Sequence, residues 1–257
     1  MMEEESNVYK YRKSYDKPVK HSVVALICAA GKSTRTREIG VMQKACAVVR
    51  WNGQVKPMVL HQIDSVRGKV DEIYVALGWM AEDVKACMRR YGVNDVKIFY
   101  DRKIEGLGML WKQFVDRRPH YKGNILSINV DDLHYQYVFD NMAEVGVGMV
   151  NVNRIYGRLD SIFSLKGKTA YEVEGGYVKG VKGKYGMVKA DYVGSGIYML
   201  NADDLRDVYY VKNNGEYDPD SVIASLISNG VKLKAHLTGV WFDGGNPEIL
   251  KDILVSE

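Results

Sequence analysis

The sequence predicts an α/β protein with a Rossmann-like, mostly parallel (mixed) sheet that is flanked by helices. Short apolar runs with strand character alternate with segments of helical character, as in the βαβ units of parallel sheets. The first run, residues 23–30, is apolar throughout, which is typical of a strand buried on both faces. From about residue 159 the pattern changes to short strands between glycine turns, which predicts a small antiparallel excursion.

The predicted elements follow one another in chain order. Apolar runs predict strands at residues 23–30, 71–77, 96–100, 124–130, 147–153, 191–200 and 231–238, with shorter strands at 161–165, 170–173 and 177–181. Helical patterns occupy residues 59–66, 80–91, 107–115, 135–145, 220–229 and 247–255. Prolines at positions 57, 219 and 247 mark helix starts, and Gly92 marks a helix end. Asn52 followed by Gly53 indicates a turn, and residues 241–246 are expected to form a loop.

Length and composition limit the class of protein. The 257 residues are expected to form a charged N-terminal extension, 1–21, and a single domain, 22–257, with the excursion at 159–200. A hydrophobic content of 46% and a charged content of 26% are typical of globular proteins, and no apolar run approaches a membrane span. The net charge of +4 suits a small anionic substrate at least as well as nucleic acid, and no long basic block argues for the latter. We therefore expect neither a membrane nor nucleic acid as partner.

The cysteines indicate a reducing compartment. Cys28, Cys46 and Cys87 are widely spaced and form no metal-binding or redox motif. The five histidines show no spacing typical of a zinc site. We therefore expect reduced thiols in a cytoplasmic protein.

The turn after the first strand has the composition of a polyphosphate site. Gly31 is followed by a series of cations and hydroxyls, and small residues let backbone N–H groups approach an anion. Gly31, Lys32 and Ser33 match the end of a Walker A loop, but the first glycine of that motif is replaced by Leu26. The P-loop interpretation is therefore the less favoured one.

The same turn is similar to a signature of another family. Ala29-Ala30-Gly31, Ser33-Thr34-Arg35 and Lys44 resemble the A-A-G-x-G-T-R…P-K motif of the sugar-1-phosphate nucleotidylyltransferases, which belong to the NTP transferase superfamily and have a glycosyltransferase-A-like Rossmann fold. The resemblance implies that Arg35 and Lys44 act on the phosphates as catalytic residues. It implies nucleotide binding by Ala29, Ala30, Gly31, Lys32, Ser33 and Thr34. Ser33 stands where the family mostly has glycine, and Gln43 replaces its proline.

Two further segments point to a metal. The apolar run 125–130 ends in Asp131 and Asp132, and Mg²⁺ prefers one or two carboxylates together with substrate phosphates. This run resembles the family's N-G-D-x-L segment, with Asp131 as metal ligand, Val130 in place of glycine, and Asp132 as a cap or a group behind the ligand. Residues 240–248 resemble its W-x-D-x-G-[TN]-P-E segment, so Asp243 is the implied second ligand. The implied cofactor is Mg²⁺.

Other segments match the family more loosely. Residues 104–109 resemble the turn that holds base and ribose, which implies nucleotide binding by Gly106 and Leu107. Lys184 stands at the position of the lysine that holds the sugar phosphate, although Gly183 and Tyr185 replace the neighbouring glutamate and proline. Residues 192–198 resemble the strand whose glycine, here Gly196, leaves room for the sugar.

The resemblance implies transfer from an NTP to a sugar 1-phosphate, giving an NDP-sugar and pyrophosphate. Its partners are thus an NTP and a phosphorylated small-molecule acceptor, and assembly into a homo-oligomer is left open. One alternative is a phosphocholine-type cytidylyltransferase of the same superfamily, because Gly78-Trp79-Met80 resembles its G-Y-M segment. Another is a non-catalytic nucleotide-binding relative, which the departures from the motifs suggest.

Overall fold

The computed structural model describes residues 22–145, 148–154, 168–184, 188, 190–212, 215–239 and 241–255. Several expectations lie outside these residues. They are the N-terminal extension 1–21, residue 147 of the strand 147–153, the strand 161–165, residues 159–167, 185–187 and 189 of the excursion, and residue 240 of the segment 240–248. The remaining predicted elements fall within the described part of the chain and are compared with the structure below.

The described elements follow the predicted alternation. The strands are β1 (Val23–Ala29), β2 (Val48–Trp51), β3 (Gln54–Pro57), β4 (Glu72–Leu77), β5 (Lys97–Tyr100), β6 (Asn124–Asn129), β7 (Asp132–His134), β8 (Met149–Arg154), β9 (Thr169–Glu174), β10 (Tyr177–Lys184), β11 (Tyr192–Asn201), β12 (Leu233–Leu237) and β13 (Trp241–Asp243). The helices are α1 (Met58–Val66), α2 (Ala81–Arg90), α3 (Leu107–Asp116), α4 (Gln136–Val145), α5 (Ala202–Arg206), α6 (Pro219–Ser228) and α7 (Pro247–Ile253). Two short 3-10 helices span Thr34–Ile39 and Lys44–Cys46.

Most differences from the sequence prediction concern short elements. The hairpin β2–β3, the strand β7 and the helix α5 were not predicted, although the turn at Asn52 and Gly53 does join β2 to β3. The expected loop 241–246 is wrong in its first half, because Trp241–Asp243 forms β13 and pairs with β7. Strands of three or four residues are too short to show a hydrophobic period.

Within the described residues the central sheet is mixed, as predicted, and has nine strands in the order β5-β4-β1-β6-β11-β8-β12-β10-β9. Strands β5, β4, β1 and β6 are parallel to one another, and β8 is parallel to β12. Strands β11 and β10 run antiparallel to their neighbours. The far end of the sheet curls, because β9 also pairs with the first residues of β11. The Rossmann-like α/β class is confirmed.

Both faces of the sheet are covered by helices, as the apolar first strand predicts. Ala25 and Ile27 of β1 pack in one hydrophobic cluster with residues of α1, α2, α4 and α7. Val24 and Leu26, which alternate with them, pack in a second cluster with residues of α3, α5 and α6. Among the described residues, no helix has both the length and the apolar composition needed to cross a membrane.

The topology predicts where a ligand binds. From β1 the chain goes to β4 on one side of the strand, and β6 pairs with β1 on the other side. Ligands of open α/β sheets bind where connections diverge in this way, beyond the carboxyl ends of the strands. For this sheet the place is beyond Ala29 of β1 and Asn129 of β6.

Phe114 tests the packing of the second cluster. Its ring is fully buried and meets the rings of Tyr74 and Phe99 edge-on at centroid distances of 5.2 Å each. We expect Phe114→Ala to lower the free energy of unfolding by about 3–5 kcal/mol, because a large cavity replaces the ring. Urea denaturation measures this, with Tyr209→Ala as control, since that side chain is exposed. Equal stability of the two variants would contradict the described core.

Candidate functional site

Two adjoining cavities lie beyond the carboxyl ends of β1 and β6. The first, here called the loop cavity, has a volume of about 270 Å³ and is lined in part by Gly31, Asp101 and Ile104. The second, here called the carboxylate cavity, has a volume of about 410 Å³. Asn129, at the end of β6, lines both. The end of β1, the loop after β5 and the end of β6 thus meet in one crevice, at the place that the sheet topology predicts.

The residues of the turn after β1 do not all reach the loop cavity. Four of the six predicted nucleotide-binding residues line it, namely Ala30, Gly31, Lys32 and Thr34. The other two, Ala29 and Ser33, are buried. After the turn the chain enters a 3-10 helix rather than an α-helix, and Leu26 is fully buried inside β1. Both features argue against a Walker A loop.

Gly31 faces open space. A Cβ built on it meets no atom within 4 Å, and its backbone does not need the left-handed conformation. By contrast, a Cβ on Gly78 would lie 2.8 Å from the carbonyl oxygen of Ala30. Close packing therefore requires a glycine at position 78. No such packing requires one at position 31, which borders the loop cavity.

The two departures from the family motif contact each other. Ser33 has a φ of 53°, a left-handed conformation that glycine adopts most easily. Its Oγ accepts a hydrogen bond from the backbone N–H of Lys44 at 3.0 Å and donates one to Oε1 of Gln43 at 3.4 Å. The serine hydroxyl thus ties the turn to the segment that carries Lys44.

Gln43 joins three segments of the chain. Besides Ser33, its Oε1 accepts a hydrogen bond from the backbone N–H of Ala45 at 3.2 Å. Its Nε2 donates to the carbonyl oxygen of Trp79 at 2.7 Å. A proline, which the family has here, has no side-chain polar atoms and makes none of these bonds. Where the family has a conformationally restricted proline, this chain therefore has a hydrogen bond that links the turn at Ser33 to Gln43.

The ladder between β7 and β13 brings distant carboxylates together. Asp243 of β13 is paired with Asp132 of β7, and the N–H of Gly244 donates to the carbonyl oxygen of Asp131 at 2.7 Å. The point that a Cβ on Gly245 would occupy lies 2.8 Å from Asp131 Oδ2 and 2.9 Å from Asp243 Oδ1. An Nη2 of Arg35 lies 3.0 Å from the same point. Two acidic side chains and one cation thus converge on one position.

Asp131 is held ionised by a lysine. Its Oδ2 forms a short ion pair with Nζ of Lys44. Burial by itself would raise the pKa of Asp131, but the Lys44 ammonium outweighs that effect and holds the pKa at about 2. The neighbouring Val130, which replaces the family glycine, packs its side chain in the first hydrophobic cluster.

Asp132 is buried and lines the carboxylate cavity, where its carboxylate bonds to side chains rather than to a helix N-terminus. Its carboxylate accepts hydrogen bonds from Asn129 Nδ2 at 2.9 Å and from Trp241 Nε1 at 3.2 Å. Lys168 Nζ lies 3.1 Å from Asp132 and 3.0 Å from Asp243. Burial, together with the charges of Asp243 and Asp131, raises the pKa of Asp132 to about 6 in spite of Lys168.

Asp131 and Asp243 fit a hard divalent cation. Their oxygens lie on the same side of the buried Gly245, and Mg²⁺ is held by one or two carboxylates with waters and substrate phosphates as its other ligands. In the described part of the chain, no group of three or more His, Cys, Asp or Glu side chains is arranged to hold a metal ion. The donors present thus suit a site that the protein completes only with its substrates.

Gly196 lines the carboxylate cavity, but a side chain has no space there. It has a φ of 78°, and a Cβ would lie 2.0 Å from Oδ2 of Asp132 and 2.8 Å from Nδ2 of Asn129. The sequence analysis expected this glycine to leave room for a sugar. In the structure the space next to it is taken by the Asp132 carboxylate.

Gly106 and Leu107 line the loop cavity at the start of α3. Gly106 has a φ of 101°, and a Cβ on it would lie 2.7 Å from the carbonyl oxygen of Tyr217. The glycine is therefore required by the contact with that backbone. Both residues lie beside the loop cavity, and their role in nucleotide binding stays a prediction.

Lys184 lies behind the carboxylate cavity. Its Nζ pairs with Asp220 and lies 3.3 Å from Oγ1 of Thr169, which itself lines the cavity. The predicted contact of Lys184 with an acceptor phosphate stays a prediction.

Two residues of the site, Asn129 and Lys168, were not predicted from the sequence. Asn129 stands two positions before Asp131 in the motif already quoted, so the motif itself held the signal. Lys168 is one of several lysines among glycine turns and carries no local signal. Only the fold brings it to Asp132 and Asp243.

The contacts of Gln43 predict its effect on stability. Gln43→Ala leaves the N–H of Ala45 and the carbonyl oxygen of Trp79 without these side-chain partners. We expect the free energy of unfolding to fall by about 1–3 kcal/mol, the cost of leaving buried polar groups unpaired. Chemical denaturation measures it, with the exposed Gln54→Ala as matched control. Equal midpoints and slopes for the two variants would show that the link carries no stability.

Comparison with known proteins finds similar structures but no similar sequences. A search of protein-family models and a search of curated proteins found no match. Among solved structures, the chain is similar to a protein described as a glucose-1-phosphate thymidylyltransferase from Bacillus anthracis, solved with a sucrose. The TM-score is 0.70 and the identity 16%, over 90% of this chain and 93% of that chain.

Two more solved structures give the same picture. One is a UDP-glucose pyrophosphorylase in complex with UDP-glucose, with a TM-score of 0.68 and 15% identity over 90% of this chain and 98% of that chain. The other is an inositol-1-phosphate CTP transferase from T. maritima, with a TM-score of 0.69 and 14% identity over 89% of this chain and 91% of that chain. At such identities the likeness shows the fold, and this chain has the fold of the sugar-1-phosphate nucleotidylyltransferases.

Proposed function

We propose that the protein is a nucleotidylyltransferase that transfers a nucleoside monophosphate from an NTP to a sugar 1-phosphate. One observation carries the proposal: the loop cavity and the carboxylate cavity adjoin at Asn129, where β1 and β6 end. The first offers an open glycine turn, as a nucleotide requires. The second offers paired carboxylates and cations, as the reacting phosphates require. The shared fold supports the same proposal.

The triphosphate is assigned to the turn after β1. Gly31 faces open space, so backbone N–H groups of the turn are accessible to phosphate oxygens. Lys32 and Thr34 are exposed beside it and line the loop cavity. Gly106 and Leu107 line the same cavity, which supports their assignment to the base and ribose.

The reaction needs no protein nucleophile. An oxygen of the acceptor's phosphate attacks the α-phosphorus in line, the bond to the bridging oxygen breaks, and pyrophosphate leaves with the bonding electrons. Because both substrates are anions, the protein holds them and neutralises their charge. Arg35 and Lys44, which lie beside Asp131, are the cations that we assign to this role.

The pairing of β7 with β13 positions the two proposed metal ligands. Asp131 and Asp243 are the residues that would hold Mg²⁺, which when bound supplies positive charge to phosphate oxygens. Asp243 is positioned by its pairing with Asp132, and Asp131 by the hydrogen bond from the N–H of Gly244 to its carbonyl oxygen. Lys44 holds the pKa of Asp131 low.

The carboxylate cavity favours a sugar over phosphocholine as acceptor. A quaternary ammonium is bound by several aromatic faces. Among the lining residues that the structure describes, Tyr198 is the one aromatic side chain, whereas Asn129, Thr169 and Asn246 offer hydrogen bonds to hydroxyls. We assign Lys184, behind Thr169, to the acceptor phosphate, and Gly196 to the floor. Both halves of the chain line this cavity, so we treat residues 22–257 as one domain.

A pyrophosphate-release assay tests the proposed reaction. The four NTPs are each combined with hexose 1-phosphates, with phosphocholine and with hexoses that lack phosphate. We expect release with one base and only with a sugar 1-phosphate, because the attacking atom is a phosphate oxygen. Release with phosphocholine alone would support the cytidylyltransferase alternative. Nucleotide binding without release from any pair would support a non-catalytic relative.

Asp131 tests the metal assignment. We expect Asp131→Asn to lower kcat by on the order of 100-fold or more, the size of effect of one preorganised electrostatic group. The control is Asp64→Asn, because Asp64 pairs with Lys56 and Arg67 on the surface. Thermal unfolding verifies that both variants are folded. Wild-type turnover of Asp131→Asn with Mg²⁺ would contradict the assignment.

A further inference from the structure

Lys168 is a partly buried cation that no sequence motif indicates. Its Nζ lies 3.0 Å from Oδ2 of Asp243 and 3.1 Å from Oδ1 of Asp132, and its side chain is 20% exposed. Burial alone would lower its pKa, but the carboxylates of Asp132, Asp243 and Asp131 outweigh that and raise it above its usual value. Lys168 is therefore a charged partner of these carboxylates.

The carboxylates of Asp131, Asp132 and Asp243 are balanced by lysines. Lys44 pairs with Asp131, and Lys168 bridges Asp132 and Asp243. Buried charges require such partners, because an unpaired carboxylate pays a large desolvation cost. Before any substrate binds, the carboxylates therefore already have counter-ions.

Lys168 and the proposed metal use the same side chain. Oδ2 of Asp243 contacts Lys168 at 3.0 Å, while Oδ1 of the same carboxylate accepts a hydrogen bond from the N–H of Gly245 and lies on the side of Asp131. A divalent cation bound by Asp243 would therefore be a close neighbour of the Lys168 ammonium, because both contact the same carboxylate. Like charges at such range repel strongly, because little water screens them.

We propose that Lys168 is the resident counter-ion of Asp243 and competes with the divalent cation for it. The inference rests on the proposed function. Lys168 keeps the affinity for a free divalent ion low, so that the ion binds tightly only together with the triphosphate, whose charge offsets the repulsion. The lysine is in this sense a positioning residue that acts through Asp243.

Binding of Mn²⁺ to the nucleotide-free protein tests the proposal. Free Mn²⁺ is followed by electron paramagnetic resonance. We expect Lys168→Met and Lys168→Gln each to lower the Kd for Mn²⁺ by on the order of tenfold or more, because the competing charge is gone. Lys168→Arg, which keeps the charge, should retain the wild-type Kd. Either neutral variant suffices if the other does not fold.

The matched control is Lys69→Met. Lys69 has a similar exposure, 22%, and pairs with Asp140 away from the cavity, so its loss should leave the Kd for Mn²⁺ unchanged. An unchanged or higher Kd in the folded neutral variants of Lys168 overturns the inference. Asp243→Asn distinguishes failure of the Lys168 proposal from failure of the metal assignment. Loss of Mn²⁺ binding in this variant supports Asp243 as a metal ligand, whatever the Lys168 variants show. If Asp243→Asn binds Mn²⁺ as the wild type does, the assignment and the inference both fail.

Discussion

The balance of buried charge at the ladder of β7 and β13 is the constraint on which the site depends. This ladder joins Asp132 and Asp243 in backbone register, and Asp131 directly precedes it. Carboxylates in such proximity repel one another and lose water, so each needs a cation. Removing one member of a buried pair generally costs about 3–5 kcal/mol. Lys44 and Lys168 therefore maintain the arrangement of the acids as well as the charge of the cavity.

The sheet brings this charged cluster to the place where a nucleotide can reach it. Strand β1 leads into the open turn at Gly31, and β6, its neighbour, ends at Asn129, two positions before Asp131. Two hydrophobic clusters hold the strands from both faces, so the positions of these ends are set by the core. The cavities can therefore share Asn129 while differing in chemistry, one bordered by a glycine turn and the other by carboxylates.

Features set by residues that are close in sequence were predictable, whereas features set by contacts between distant residues were not. The first strand was predictable because seven consecutive residues of β1 are buried or nearly so, and the motifs around Asp131 and Asp243 were visible in the sequence. Strands β7 and β13 were not, because three residues show no period and each depends on a distant partner. Lys168 reaches the acids only through tertiary structure. The contact of Ser33 with Gln43 depends on a left-handed backbone conformation, which no local pattern indicates.

The fate of the phosphorus atoms is the most direct test of the proposed reaction. The protein is incubated with a sugar 1-phosphate, Mg²⁺ and an NTP that is labelled either at the α- or at the γ-phosphorus. The proposed in-line attack predicts that the α-label appears in the NDP-sugar and the γ-label in pyrophosphate. Transfer of the γ-label to the acceptor, as in a phosphotransferase, or release of both labels without an acceptor adduct, would contradict it.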